Sequence, residues 1–323
     1  MRLIVMNLLI VHTIRFVMAY IVQMRPYLLF VSGMAGLVGI SKATYFNPSF
    51  DKVWMAFIPL FLGYGFGQAL TDCFQMDTDK ISAPFRPLSK GLISVSSVLV
   101  TSLAGLMICG LLLLALHPYS FYLSVVVMLL VLSYSYLKRK SPVLGPVPNA
   151  LAVSLLPLMG FYAGLGKDFH YTGIIAWELP VITFFSFANF VLMGNLKDIS
   201  ADEKTGYRTF PVVFGWNRTV IAGGILVTIA LVVFWLTASR GLYQMLFGIA
   251  ASIMLFGGIL NAFLQKNKTE KHSIFSILML LRGYIVLHIA LILGYREEWL
   301  PMTVLLYVLF EAALYLRPSK VQV

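Results

Sequence analysis

A chain of 323 residues that is 59% hydrophobic and only 11% charged has the composition of a polytopic membrane protein, not of a soluble chain. Its 24 Lys and Arg outnumber 13 Asp and Glu, giving a net charge of +11, yet no soluble basic domain carries that charge, so nucleic acid is excluded as a partner. Cys73 and Cys109 are too few for a disulfide framework or a zinc site, and His12, His117, His170, His272 and His288 lack metal-ligand spacing.

A membrane-crossing helix needs about 20 mostly apolar residues. Residues 3–22 are apolar but contain His12 and Arg15. They read as a helix lying at the interface, with an eleventh span as the competing reading; no polar, small-residue cleavage region follows, which argues against a cleaved signal. Spans are then expected near 26–45, 53–75, 93–116, 120–137, 148–166, 175–197, 219–238, 244–264, 275–294 and 299–316. The fold class is therefore all-α, a polytopic membrane bundle of about 9–10 transmembrane helices. The expected division is an interfacial helix at 1–24, a membrane domain at 25–295, and an additional transmembrane helix and tail at 296–323. Gly63, Gly65 and Gly67 have the small-residue spacing that lets membrane helices approach closely.

Positive charge collects in alternate loops: Lys80, Arg86 and Lys90; Lys138, Arg139 and Lys140; Lys204, Arg208 and Arg218; Lys266, Lys268 and Lys271. The intervening loops are poorer, with Lys42 and Lys52, then Lys167, Arg240 and Arg296. The positive-inside rule puts the rich loops, and both termini, on the cytoplasmic side.

Six of the acids fall in two short stretches at the ends of spans: Asp72, Asp77 and Asp79, then Asp198, Asp202 and Glu203. Carboxylates beside a bilayer core are costly and tend to mark ion or substrate sites. Each cluster leads into a basic, proline-containing loop, Pro84-Phe85-Arg86-Pro87-Leu88 in one case and Gly206-Tyr207-Arg208-Thr209-Phe210-Pro211 in the other. Four spans separate the two points, which suggests two four-helix halves around a central cavity, with the site at their interface. On a continuous helix Asp72, Gln75 and Asp79 would share one face, as would Asp198 and Asp202. Asp77 and Glu203 lie off those faces. Glu178 reads as a span-end residue, and Glu311 has Arg282 in the preceding span as a possible partner.

Opposed oxygen ligands of this kind suit Mg²⁺, which keeps several waters and is completed by substrate phosphates. Arg86, Lys90, Lys138, Arg139 and Arg208, on the same side, could neutralise a diphosphate. The chemistry that follows is loss of diphosphate from an allylic substrate, with aromatic faces stabilising the cation left behind. Phe61, Tyr64, Phe66, Phe161, Tyr162, Phe184, Phe185, Phe187 and Phe190 lie on spans expected to line the cavity, although ordinary packing is the commoner role of such rings.

Over roughly residues 25–295 the chain resembles the UbiA superfamily of intramembrane prenyltransferases. Members carry Asn-Asp-x-x-Asp-x-x-x-Asp after the second span, then Pro-x-Arg-Pro-Leu; here the residues are Thr71-Asp72-Cys73-Phe74-Gln75-Met76-Asp77-Thr78-Asp79 and Pro84 to Leu88. The second family motif, Asp-x-x-x-Asp before a Gly and a Thr-Leu-Pro-Val segment, corresponds to Asp198 to Asp202, Gly206 and Thr209-Phe210-Pro211-Val212. The run Tyr134 to Lys140 is similar to the family's loop after the fourth span. The resemblance implies a helical bundle with a lateral opening to lipid, and a Mg²⁺-dependent enzyme acting on an isoprenyl diphosphate. Asp72, Gln75, Asp79, Asp198 and Asp202 would hold metal; Arg86, Lys90, Lys138, Arg139 and Arg208 would bind diphosphate. The acceptor would be a lipophilic molecule in the membrane, an aromatic one by family habit. Thr71 and Gln75 depart from the motif's Asn and Asp, which leaves open the alternative of a terpene cyclase, using the same ionisation without an external acceptor. A transporter or silent scaffold is the reading from a different class.

Overall fold

The computed structural model describes residues 2–47, 52–167 and 177–319, with side chains from Thr13 onward. His12 and His170 therefore fall outside the side chains described. The chain opens with α1 (Arg2–Met24), turns sharply at Arg25, and enters α2 (Pro26–Phe46). Arg25 is a non-glycine residue with φ 55° and ψ 76°, a left-handed conformation that costs roughly 1–2 kcal/mol. Pro26 then starts α2 at a position where its missing N–H is harmless.

The remaining helices are α3 (Val53–Asp72), α4 (Met76–Ser82), α5 (Val95–Leu116), α6 (Pro118–Lys140), α7 (Pro146–Ser154), α8 (Leu156–Leu165), α9 (Glu178–Gly194), α10 (Ile199–Lys204), α11 (Phe210–Thr237), α12 (Leu242–Leu264), α13 (Glu270–Leu293) and α14 (Leu300–Tyr315). Among the described residues ten helical segments are long and apolar enough to cross a membrane, α7 with α8 forming one of them. These match the ten expected spans. Each apolar stretch becomes a helix because only internal hydrogen bonding satisfies the backbone in hydrocarbon.

Neighbours in sequence are neighbours in space: α2 packs on α3, α3 on α5, α9 on α11, and α12 on α13, while α13 returns to α2. Helices α2 and α13 are almost wholly buried at the centre. Against α2, α8 packs backbone to backbone. A Cβ at Gly39 or at Gly160 would collide with a backbone oxygen of the facing helix, so this contact requires glycine on both sides. Gly65 likewise seats Met24 of α1: a Cβ there would lie 2.6 Å from Met24 Cε. Gly63 and Gly67 are different, since both line an open cavity.

The last span docks through Phe310, whose ring meets Phe30 edge-on at 5.9 Å, and through the expected pair of Arg282 with Glu311. Arg282 donates from Nε at 2.6 Å and from Nη2 at 2.8 Å, and Tyr307 adds a hydroxyl donor at 3.0 Å. Glu178 does stand at the start of its span, where Lys42 Nζ donates to it at 2.9 Å and Tyr295 Oη at 3.3 Å. His288 is a satisfied core histidine, bonded to Thr183 and to the Tyr284 carbonyl.

Two details differ from expectation. The acid-bearing stretches are not continuations of the spans. Helix α3 stops at Asp72, and the chain turns through Cys73 and Phe74 before α4 begins. Asp72 and Asp79 therefore do not share one helical face; they meet because the break folds α4 back. The apolar cavity is also not shared evenly by two halves. It lies among α2, α3, α5 and α6, with α7 and α8 closing it, while a smaller pocket lined by Arg86, Lys197 and Asp198 opens between the two acid stretches.

Candidate functional site

Both acid stretches are built the same way, residue for residue. Gln75 precedes α4 with φ −120° and ψ 21°, and Asp198 precedes α10 with φ −118° and ψ 12°. Three residues earlier, Asp72 O accepts from Gln75 N at 3.2 Å, and Asn195 O accepts from Asp198 N at 3.2 Å. Four residues later, Asp79 N bonds Gln75 O at 2.9 Å and Asp202 N bonds Asp198 O at 2.8 Å. Asp72, Gln75 and Asp79 therefore correspond to Asn195, Asp198 and Asp202. Each half offers two carboxylates and one carboxamide, with the amide at a different place.

The halves also touch. Thr78 Oγ1 and Thr205 Oγ1 are 3.0 Å apart, joining α4 to the end of α10. Arg208 N donates to Arg139 O, and Ser200 donates from N and Oγ to Glu270. All four basic loops thus meet at one end of the bundle.

Each predicted acid has a defined partner. Asp72 is buried, and one guanidinium nitrogen of Arg25 reaches both its oxygens at 2.7 Å. Gln23 Nε2 donates to it at 2.5 Å and Gln68 Nε2 at 3.0 Å. Arg86 pairs closely with Asp79 and lies 3.6 Å from Asp72. Asp198 pairs with Lys197 at 2.7 Å. Asp202, fully buried, accepts from Thr209 at 3.1 Å and faces Lys138 Nζ at 3.5 Å. Gln75 Nε2 donates to Ser135 at 3.0 Å.

Burial raises the carboxyl pKa of Asp79 against the pull of Arg86, and that of Asp202 against the pull of Lys138. For Asp198 burial also works upward, but Lys197, Lys138 and Arg86 outweigh it and the pKa falls. Burial opposes the charge on Arg86, yet Asp79, Asp72 and Asp198 together raise its pKa. One arginine is thus the electrostatic hinge between the two acid stretches.

The five predicted cations divide. Arg86 and Lys138 are buried in the site. Arg139 pairs with Asp77 at the exposed edge and stacks over the Tyr207 ring at 4.7 Å. Lys90 and Arg208 are exposed, as is Glu203. Sequence reasoning missed Gln23, Arg25, Gln68 and Lys197. Lys197 had a signal, being next to Asp198. Gln23 and Arg25 are 49 and 47 residues from Asp72, beyond any local spacing rule.

Three buried polar donors here make no hydrogen bond, namely Nε of Arg25, Nε of Arg86 and the Tyr27 hydroxyl. On the acceptor side Oδ1 of Asp202 makes none, although the Lys138 ammonium stands 3.5 Å from it. Buried polar groups ordinarily find partners, so the donors fit anionic oxygens and the acceptor suits a cation, as the nearby Lys138 already shows. Among the described residues no three His, Cys, Asp or Glu side chains form a ready-made metal cage. That donor set still fits Mg²⁺, an ion usually bound through one or two carboxylates with waters and phosphate oxygens.

Directly beneath lies the cavity, about 500 Å³ in volume. Gln68, Thr71, Tyr134 and Asn149 form its polar end; Leu60, Leu106, Leu113, Phe121, Val153 and Met159 are among its apolar walls. Met107, Leu111 and Val125 both line it and are exposed on the outer surface, so it reaches the lipid-facing side between α5 and α6. Of the nine aromatic residues expected to line it only Tyr64 does. Phe187, for example, packs in the core against Tyr284.

The chain matches the UbiA prenyltransferase family over residues 29–283. It is 25% identical over 226 residues to the digeranylgeranylglyceryl phosphate synthase of Pyrococcus abyssi, covering 70% of this chain and 79% of that protein. The fold is similar to the apo structure of a UbiA homolog from Aeropyrum pernix (TM-score 0.71, 19% identity, 82% of this chain and 97% of that one). It is also similar to a UbiA homolog from Archaeoglobus fulgidus bound to DMAPP and Mg²⁺ (TM-score 0.63, 20% identity, 83% and 98%). With the family matched along most of its length and ten apolar spans in place, this chain belongs to the UbiA prenyltransferase family and is an integral membrane prenyltransferase.

Proposed function

We propose that this enzyme transfers the prenyl group of an isoprenyl diphosphate to a lipid acceptor at the cytoplasmic surface of the membrane. The carrying observation is the junction of a charged pocket with an apolar one: Gln68 both donates to Asp72 and lines the cavity. A molecule with a diphosphate head and a hydrocarbon tail matches both parts at once. Asp79, Asp198 and Asp202, with Asp72 and Gln75 beside them, would hold Mg²⁺. When bound, that ion would offset charge on the departing diphosphate. Arg86, Arg25 and Lys138 would take phosphate oxygens, with Arg139 at the rim. Lys90 and Arg208 would contribute to the surface field instead of making direct contact. The positive-inside pattern supports the cytoplasmic assignment, since the basic loops converge at the site's end of the bundle.

The acceptor best supported is a prenylated glyceryl phosphate, in place of the aromatic acceptor expected at first. The Pyrococcus relative is named for a glyceryl phosphate carrying two geranylgeranyl groups, and the A. fulgidus fold neighbour was bound to DMAPP and Mg²⁺. Terpene cyclisation is disfavoured for the same reason.

The test is turnover of purified protein in lipid nanodiscs with Mg²⁺ and geranylgeranyl diphosphate. Diphosphate release that depends on added geranylgeranylglyceryl phosphate is expected. Release without acceptor, yielding cyclic hydrocarbon or alcohol, would replace the transferase reading with the cyclase.

A further inference from the structure

Gln23 lies before the segment that matches the family, yet it is 1% exposed and its carboxamide is used at both ends. Nε2 donates to Asp72 Oδ2 at 2.5 Å, and Oε1 accepts from the backbone N–H of Leu88 at 3.1 Å. A carboxylate accepts only and a backbone N–H donates only. The bridge therefore needs one donor and one acceptor on a single side chain, which Gln supplies and Glu, Met or Leu do not.

The two partners belong to different parts of the site. Asp72 ends α3, and Leu88 follows Arg86 by two residues in the loop that carries it. The same loop is held from α1 by apolar contact, since Tyr20, Met24 and Leu88 share one buried cluster with Ala69 and Val98. Tyr20 Oη also bonds Ser102 Oγ at 2.7 Å, tying α1 to α5. Arg25, two residues beyond Gln23, holds its left-handed backbone while reaching both Asp72 oxygens. Outer partners of this kind orient the groups they touch, and their loss typically lowers metal affinity or activity about 10- to 100-fold.

We propose that Gln23 is a positioning residue, through which the N-terminal helix sets the relative placement of Asp72 and the Arg86 loop. This rests on the reading that Asp72 and Arg86 bind the metal–diphosphate group. Helix α1 thereby becomes part of the enzyme's working structure instead of a peripheral addition.

The experiment uses the full chain in nanodiscs, with two readouts: binding of an unreactive prenyl thiodiphosphate with Mg²⁺, and hydrogen exchange at the Leu88 amide without ligand. In Gln23→Met the analogue dissociation constant is expected to rise about 10- to 100-fold, and Leu88 exchange to quicken. Gln23→Glu keeps an acceptor for Leu88 but removes the donor to Asp72, so weakened binding with near-wild-type Leu88 protection is expected. Tyr20→Phe removes the hydrogen bond from α1 to Ser102 while keeping the ring that packs in the cluster with Leu88, and should change neither readout. Unchanged binding and exchange in Gln23→Met would overturn the proposal. So would a Tyr20→Phe protein that reproduces both defects, because a loosened helix would then explain everything. Should Gln23→Met not fold, Gln23→Glu with wild-type binding would overturn it equally. Asp72→Asn is the reference: if it binds the analogue normally, the underlying site reading falls, and this proposal with it.

Discussion

Gln75 occupies the place in the first acid stretch that Asp198 holds in the second, with nearly the same backbone angles. Its neutral amide removes one charge from a site already crowded with cations. Gln75→Glu preserves length and lets the Ser135 hydroxyl become the donor, so the fold should be kept. The added charge is expected to lower the Mg²⁺ concentration for half-maximal analogue binding roughly three- to tenfold, about 0.7–1.4 kcal/mol at intermediate dielectric. A Mg²⁺ titration that superimposes on wild type would place Gln75 outside the metal's reach. Read from the sequence, Asp79, Asp198, Asp202, Arg86 and Lys138 stood out because charge beside hydrocarbon is costly. Gln23 and Arg25 did not, because their value comes entirely from a tertiary contact with Asp72.

At the scale of the element, spans were legible because a membrane enforces length and apolarity together. The breaks were not. Nothing in Asp72-Cys73-Phe74-Gln75 resembles a strong helix stop, and the turn there follows from α4 folding back to meet α10. Gly215 is similar: with φ 79° it divides the short entry helix from the long span of α11. The last span shows the opposite case, where two charges in apolar helices pointed to one another. Arg282 and Glu311 sit partly buried, with side chains 28% and 32% exposed. Each single change, Arg282→Gln or Glu311→Gln, should lower resistance to unfolding in detergent. The double-mutant cycle should return a coupling of about 1–2 kcal/mol, the upper range for polar contacts between membrane helices. Strict additivity would mean that α14 is held by Phe310 and its apolar neighbours alone.

For the whole molecule, the doubled sequence pattern foretold a doubled acid stretch, whereas the apolar cavity it placed between two equal halves lies mostly in the first. The first four spans enclose that apolar space, and α7 and α8 close it. The asymmetry has a physical source, since α2 is pressed against α8 at Gly39 and Gly160 while α3 keeps Gly63 and Gly67 open to the cavity. Gly63 decides how much room is left. It lines the cavity, and a Cβ built there meets nothing within 4 Å. Gly63→Leu therefore starts its side chain in open space on the cavity wall, with no neighbouring helix against its Cβ, and Leu is a better helix former than Gly. A donor tail that runs the length of the cavity will meet the new side chain; a short one will not. The expected result is a fall in kcat/KM for a geranylgeranyl donor of about 10-fold or more, with a dimethylallyl donor nearly unaffected and thermal stability unchanged or higher. Equal losses for both donors would mean that the tail takes another route, and that this cavity serves the acceptor or lipid instead.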